Sequence, residues 1–96
     1  MRENKRPPPD IGELIRFCCA ESRARSISLV GDFNEWNPNS HPMAPWRKGW
    51  WTVQVPLNPG RHYYRFLVDG KARLDPHAEE TARDEHGEQV SVITLI

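Results

Sequence analysis

The sequence predicts an all-β fold, a sandwich of six or seven short strands. Short apolar runs alternate with period two, turn residues separate them, and no segment carries the apolar stripe of a core helix. One open sheet would leave an apolar face wet, so two packed sheets are expected.

Residues 1–10 read as a flexible tail, and 11–96 as one domain. Pro7-Pro8-Pro9 favours polyproline II, which has no internal hydrogen bonds and acts as a spacer. A first strand is expected over 14–19 (LIRFCC), although its alternation is imperfect. Polar residues 20–25 lead to a second strand over 26–30, with Ile27 and Leu29 on one face. Residues 32–49 contain three prolines and several asparagines and read as loop. A strand over 50–55 directs Trp51, Val53 and Val55 to the core and leaves Trp50, Thr52 and Gln54 outside. Pro59-Gly60 suits the centre of a type II turn. Over 61–68, Tyr64, Phe66 and Val68 share one face, and Tyr63, Arg65 and Leu67 the other. Asp69-Gly70 signals a two-residue hairpin into a short strand over 71–74. Polar residues 75–88, with room for one helical turn in 78–85, precede a last strand over 89–95.

Composition narrows the function. Among 96 residues, Lys plus Arg and Asp plus Glu number 13 each, so no global field gathers nucleic acid or an anionic membrane. The basic residues Arg2, Lys5 and Arg6 read as a solvated tail. No apolar run reaches the roughly 18–20 residues of a membrane helix, and the N-terminus is not signal-like. Cys18 and Cys19 are adjacent, so in a strand they point to opposite faces and do not bridge. Free thiols, one buried and one at the surface, fit a reducing, cytoplasmic setting.

The run Leu29-Val30-Gly31-Asp32-Phe33-Asn34-Glu35-Trp36-Asn37-Pro38 is the most informative stretch. A strand ends at glycine, and a polar loop follows that offers one large indole. An indole face suits the C–H face of a sugar ring, while amides and charged groups satisfy its hydroxyl rim. Asp32 and Asn34 also suit capping of the loop backbone. Trp46 and Trp50 are open to two roles: a second stacking surface, or packing against Tyr63 or Leu67. The group Asp75, His77, Glu79, Glu80, Asp84, Glu85 and His86 matches no closed zinc spacing and reads as solvated surface. No nucleophile motif, phosphate loop or cofactor pattern is present.

These motifs carry a family likeness. Residues 26–36 (SISLVGDFNEW), Gly49-Trp50-Trp51-Thr52-Val53, residues 59–70 (PGRHYYRFLVDG) and Asp75-Pro76 resemble, in order, the family-48 carbohydrate-binding modules. That family includes the glycogen-binding domain of the AMP-activated protein kinase β subunit and the N-terminal domains of isoamylases and branching enzymes. The resemblance implies an immunoglobulin-like, early-set sandwich of six to eight short strands that binds α-1,4-glucans or packs beside a catalytic barrel. It further implies two tryptophans stacking on glucose, a lysine and an asparagine bonding hydroxyls, and a wedging leucine. Trp36 matches the first tryptophan and Arg65 the lysine. The second tryptophan is Ala72 here, the leucine is His86, and the asparagine has no clear match in His86-Gly87-Glu88-Gln89-Val90.

Two functions follow as expectations. The first is a non-catalytic module binding glycogen or a related α-glucan weakly, through Trp36, Arg65, Trp50, Asn34, Asn37 and Tyr63, without metal or cofactor. Its partners would be a glucan chain and a glucan-metabolising enzyme. The second is a protein–protein interaction sandwich with a degenerate sugar site, using its tryptophans or its sheet edges.

Overall fold

The computed structural model describes residues 12–96, and the proline-rich segment expected as a tail lies outside them. The strands are β1 (Glu13–Ala20), β2 (Ile27–Gly31), β3 (Ala44–Pro45), β4 (Trp50–Leu57), β5 (Gly60–Val68), β6 (Lys71–Arg73), β7 (Glu80–Arg83) and β8 (Gln89–Leu95), with one 3₁₀ turn (Asp32–Asn34). They form two antiparallel sheets. One runs β1-β4-β3; the other runs β2-β5-β8-β7, with β6 also on β5. The chain is an all-β sandwich.

Alternation within each strand builds the core between these sheets. Phe17 and Cys19 from β1, Val55 and Leu57 from β4, Ile27 and Leu29 from β2, and Tyr64 and Phe66 from β5 are buried together. Phe66 and Leu29 are fully buried, each gaining about 1.5–3 kcal/mol over an exposed position. Trp51 packs against this cluster, and its indole N–H donates to the Glu21 carbonyl at 2.8 Å. The Tyr64 hydroxyl donates to Asp75 Oδ2 at 2.6 Å, and the Asp75 amide donates to Ser91 Oγ at 2.8 Å. Burial, followed by this carboxylate, pushes the Tyr64 phenol well above its ordinary range. The Asp75-Pro76 turn is thereby fastened to β5 and β8.

Three expectations change. Residues 80–83 form a strand rather than loop or helical turn, because Gly87 (φ 81°) reverses the chain and pairs Glu80–Arg83 with β8. The strand begun at Trp50 continues through Pro56 to Leu57, since β1 pairs with it along eight residues. The long loop contributes β3, whose Ala44 and Pro45 pair with Thr52 and Trp51. Elsewhere the expected strands recur within two residues. The Asp69-Gly70 hairpin has positive φ at both residues, 51° and 83°, as a type I′ turn requires. Cys19 is buried and Cys18 half-buried, both as free thiols; burial raises the Cys19 pKa.

Hydrogen bonds hold four carboxylates below their usual range. Asp69 accepts the Ser26 and Arg25 amides, Asp84 the Glu88 and His86 amides, Glu21 the Arg23 amide and Arg73, and Glu80 the Arg61 guanidinium. A depressed folded-state pKa contributes stability above the unfolded value that is lost as pH falls through the folded one. Thermal melts should therefore give a plateau above about pH 5 and a falling midpoint below about pH 4. A flat midpoint from pH 5 to 2.5 would contradict these pairings.

Candidate functional site

The signal loop leaves β2 at Gly31, whose backbone is extended (φ −167°). Glycine is required there by space: a Cβ would fall 2.4 Å from Phe33 Cε2 and 2.6 Å from the Tyr63 carbonyl oxygen. Asn34 then closes the loop upon the strand. Its Oδ1 accepts the Gly31 amide at 3.0 Å, and its Nδ2 donates to the Leu29 carbonyl at 3.0 Å and meets His41 Nδ1 at 2.8 Å. Glu35 and Trp36 both adopt φ of 57°, a left-handed conformation costing a non-glycine residue about 1–2 kcal/mol. The Trp36 amide bonds the Gly31 carbonyl at 2.9 Å. Two consecutive strained residues braced in this way fix the direction of the indole.

Trp36 meets β5. The guanidinium carbon of Arg65 lies 5.2 Å from the indole centroid, a contact worth about 0.5–1 kcal/mol at an exposed site. Among the described residues no other ring or guanidinium stacks on Trp36, which is half-buried. Arg65 Nη1 donates to Glu88 Oε1 at 3.2 Å, while its Nε–H is buried with no acceptor among the described residues. Register places Val30 opposite Arg65 and Val92 opposite Tyr63, on the outer face of the five-stranded sheet. Both valines are buried, forming an apolar floor beneath the polar groups. Asp32 Oδ2 accepts the Tyr63 amide at 3.2 Å, tying the loop to the same strand. Tyr63 carries the Arg61 guanidinium 5.6 Å from its ring.

Beside Arg65 the face is hollow. Ala72 pairs with Leu67 on β6, and a cavity of about 360 Å³ is lined by Ala72, Arg65, Arg83, Glu88 and Gln89. Its place is where the resemblance expects a second stacking ring. Arg83 and Glu88 were not anticipated as part of this face. Their sequence signals are the weak alternation around Thr81-Ala82 and the glycine turn at Gly87 that joins β7 to β8.

The structure brings together Trp36, Arg65 and Tyr63 but not every expected contact. The Asn34 amide is fully engaged within the loop. Asn37 Oδ1 accepts the Asn39 amide at 2.8 Å, leaving its Nδ2 on the exposed rim. Trp50 is corrected: it belongs to β4 in the three-stranded sheet and packs tilted against His77, with centroids 6.0 Å apart and the rings 40° from parallel. Strand order places it in the other sheet from Arg65 and Tyr63, and among the described residues no ring pairing joins Trp50 or Trp46 to Tyr63. His86 is exposed in the β7–β8 turn. The polar group at 75–86 disperses into pairings of its own: Asp75 with Tyr64, Glu80 with Arg61, and Asp84 with the amides of its turn.

Asn34→Ala should cost about 1–3 kcal/mol, because two half-buried backbone groups lose their partners. For a domain of this size that is a fall of at least about 4 °C in Tm. An unchanged melting point would show that Asn34 does not brace the loop.

Comparison with known proteins identifies the family of the chain. Residues 18–96 match the family described as the glycogen recognition site of AMP-activated protein kinase. The chain is 39% identical over 69 residues to the 1,4-alpha-glucan branching enzyme GlgB of Bacillus caldolyticus, covering 66% of this chain and 10% of that enzyme. Against the GlgB of Rhodopseudomonas palustris (strain BisB5) it is 38% identical over 66 residues, covering 69% and 8%. Against GlgB 2 of Xanthomonas campestris pv. campestris (strain 8004) it is 33% identical over 76 residues, covering 76% and 10%. The chain thus spans about a tenth of the length of these enzymes. With a matched segment that takes in the Trp36 loop, β5 and the hollow at Ala72, the chain belongs to the family of glycogen-recognition modules of AMP-activated protein kinase.

Proposed function

We propose that this module binds α-1,4-glucan chains without catalysis, on the outer face of the five-stranded sheet, in the service of glucan metabolism. The observation that carries the reading is the Trp36 indole, held by two left-handed residues and backed on one face by Arg65. A glucose ring stacks on the other face. The remaining Arg65 donors, the Asn37 amide and the Tyr63 hydroxyl offer hydrogen bonds to its rim. Arg65 has a second duty as the support beneath the ring, because its guanidinium is planar and stacks as a lysine ammonium does not.

Affinity is low because a single ring gives little surplus over the cost of ordering a flexible sugar chain. The hollow at Ala72 is the reason that only one ring is available. The same face is where a longer protein carrying this module would hold glucan near an active site elsewhere in that protein.

Titration of tryptophan fluorescence with maltoheptaose and with glycogen tests the reading. Trp36→Ala should weaken binding at least about tenfold, the loss expected of a central aromatic contact. Ala72→Trp should strengthen it by about fivefold to tenfold by restoring a second platform. A flat response of the native chain up to millimolar maltoheptaose would refute glucan binding. An unchanged affinity in a folded Trp36→Ala variant would move the site elsewhere.

A further inference from the structure

The strand edges of this sandwich are protected unequally. β2 is shielded by its own loop: the Leu29 amide donates to the His41 carbonyl at 2.9 Å, and the Met43 amide to Ile27 at 2.8 Å. β3 covers one side of β4. β7 is an open edge, but it is short and ends in the charged Glu80 and Arg83, a pattern that discourages pairing. β1 is different. All eight of its residues pair with β4 on one side, and no strand lies on the other among the described residues. Its charges are Glu13 and Arg16 alone, and Leu14 is 58% exposed.

A cavity of about 760 Å³ follows this edge. Ile15, Arg16, Phe17 and Cys18 all border it. Consecutive strand residues point to opposite faces, so a cavity touching all four lies alongside the strand, not above one face. The facing wall is built the same way. Ile93, Thr94 and Leu95 border the cavity, and β7 pairs with β8 only as far as Val92. The cavity is therefore a gap between two open strand edges. Its length along β1, four residues, is about 13 Å.

The β1 side of the gap carries the basic Arg16 and Arg47, and the opposite side the acidic Glu79 and Glu80, of which Glu80 is already paired with Arg61. Arg16 and Arg47 lie over the Trp46 ring, 4.6 and 4.5 Å from its centroid. Neither has a carboxylate partner among the described residues. Arg16 shares the outer face of β1 with Leu14, Cys18 and Ala20.

We propose that the β1 edge receives an extended segment of a partner protein as an added strand. The segment carries apolar side chains at alternate positions, directed into the gap against Phe17 and Ile93. Acidic side chains between them meet Arg16 and Arg47 on the outer face. Backbone hydrogen bonds to β1 provide the affinity, and the alternating side chains the selectivity. A second copy of this chain fits worse. Two β1 edges paired about a twofold axis bring both Arg16 side chains to one outer face, where β1 supplies no acid. This surface is separate from Trp36 and Arg65, and its occupation does not depend on glucan binding.

The test uses the full chain and an acetylated eight-residue peptide of alternating valine and glutamate, with a lysine-for-glutamate peptide beside it. Amide hydrogen exchange, followed residue by residue, should slow in β1 and not in β7. The glutamate peptide should bind more tightly than the lysine peptide. Arg47→Glu should weaken the glutamate peptide by about fivefold and improve the lysine peptide, with the response to glycogen unchanged. Unaltered exchange in β1 would overturn the proposal, as would protection in β7 or equal binding of the two peptides. A free chain that sediments as a dimer with β1 amides already protected would also overturn it, by making a second copy the occupant.

Discussion

The register of β5 is the constraint on which this molecule rests. Along one edge β5 pairs with β2, and along the other with β8 and then with β6. Its alternation sends Tyr64 and Phe66 into the core, and Tyr63, Arg65 and Leu67 to the outer face. A slip of one residue would bury Arg65 and expose Phe66, exchanging the core for the outer face in a single step. Three neighbouring strands and the Tyr64–Asp75–Ser91 chain of hydrogen bonds all oppose that slip. Fold and site are thus two faces of one decision.

The loop that displays Trp36 depends on the same strand. Gly31 passes close to the Tyr63 carbonyl, and Asp32 holds the Tyr63 amide, so the loop takes its position from β5 before it turns. Strain at Glu35 and Trp36 is tolerable because Asn34 satisfies the surrounding backbone. The indole is therefore offered in one orientation, which lowers the ordering cost of a contact with few partners to share it. The shallow hollow at Ala72 sets the opposite limit, leaving polar groups around a place where no ring stands.

Most of the sandwich was legible in the residues because its information is local. Alternation in β2 and β5, the Asp69-Gly70 turn and the glycine before Asp32 each name their own structure. Trp36 and Arg65 were legible as a pair only through family likeness, since nothing in their spacing of 29 positions brings them together. β7 was missed because its four residues, ETAR, bury little and owe their conformation to β8. The alternation of residues 50–55 directs Trp50 outward but does not say which sheet carries it. Which sheet a strand enters is a long-range outcome, and Trp50 gives no sign that β4 lies between β1 and β3. The capping role that suits Asn34 in the sequence is the one it takes, although its partners at Leu29 and His41 are fixed only by the closed loop.

The pairing of β1 with β4 also has a consequence in time. Ala20 lies opposite Trp50 and Glu13 opposite Leu57, so the earliest strand of the sandwich has no partner until at least 30 further residues exist. At ordinary synthesis speeds of about 5–20 residues per second, that is a delay of roughly 2–6 s. β2 is delayed as well, because Ile27 pairs with Val68. Two apolar strands thus leave the ribosome well before the strands that cover them, and non-local sandwiches of this kind close slowly even when complete. The nascent chain is most adhesive in its first half, which makes β1 the place where a chaperone has most to gain.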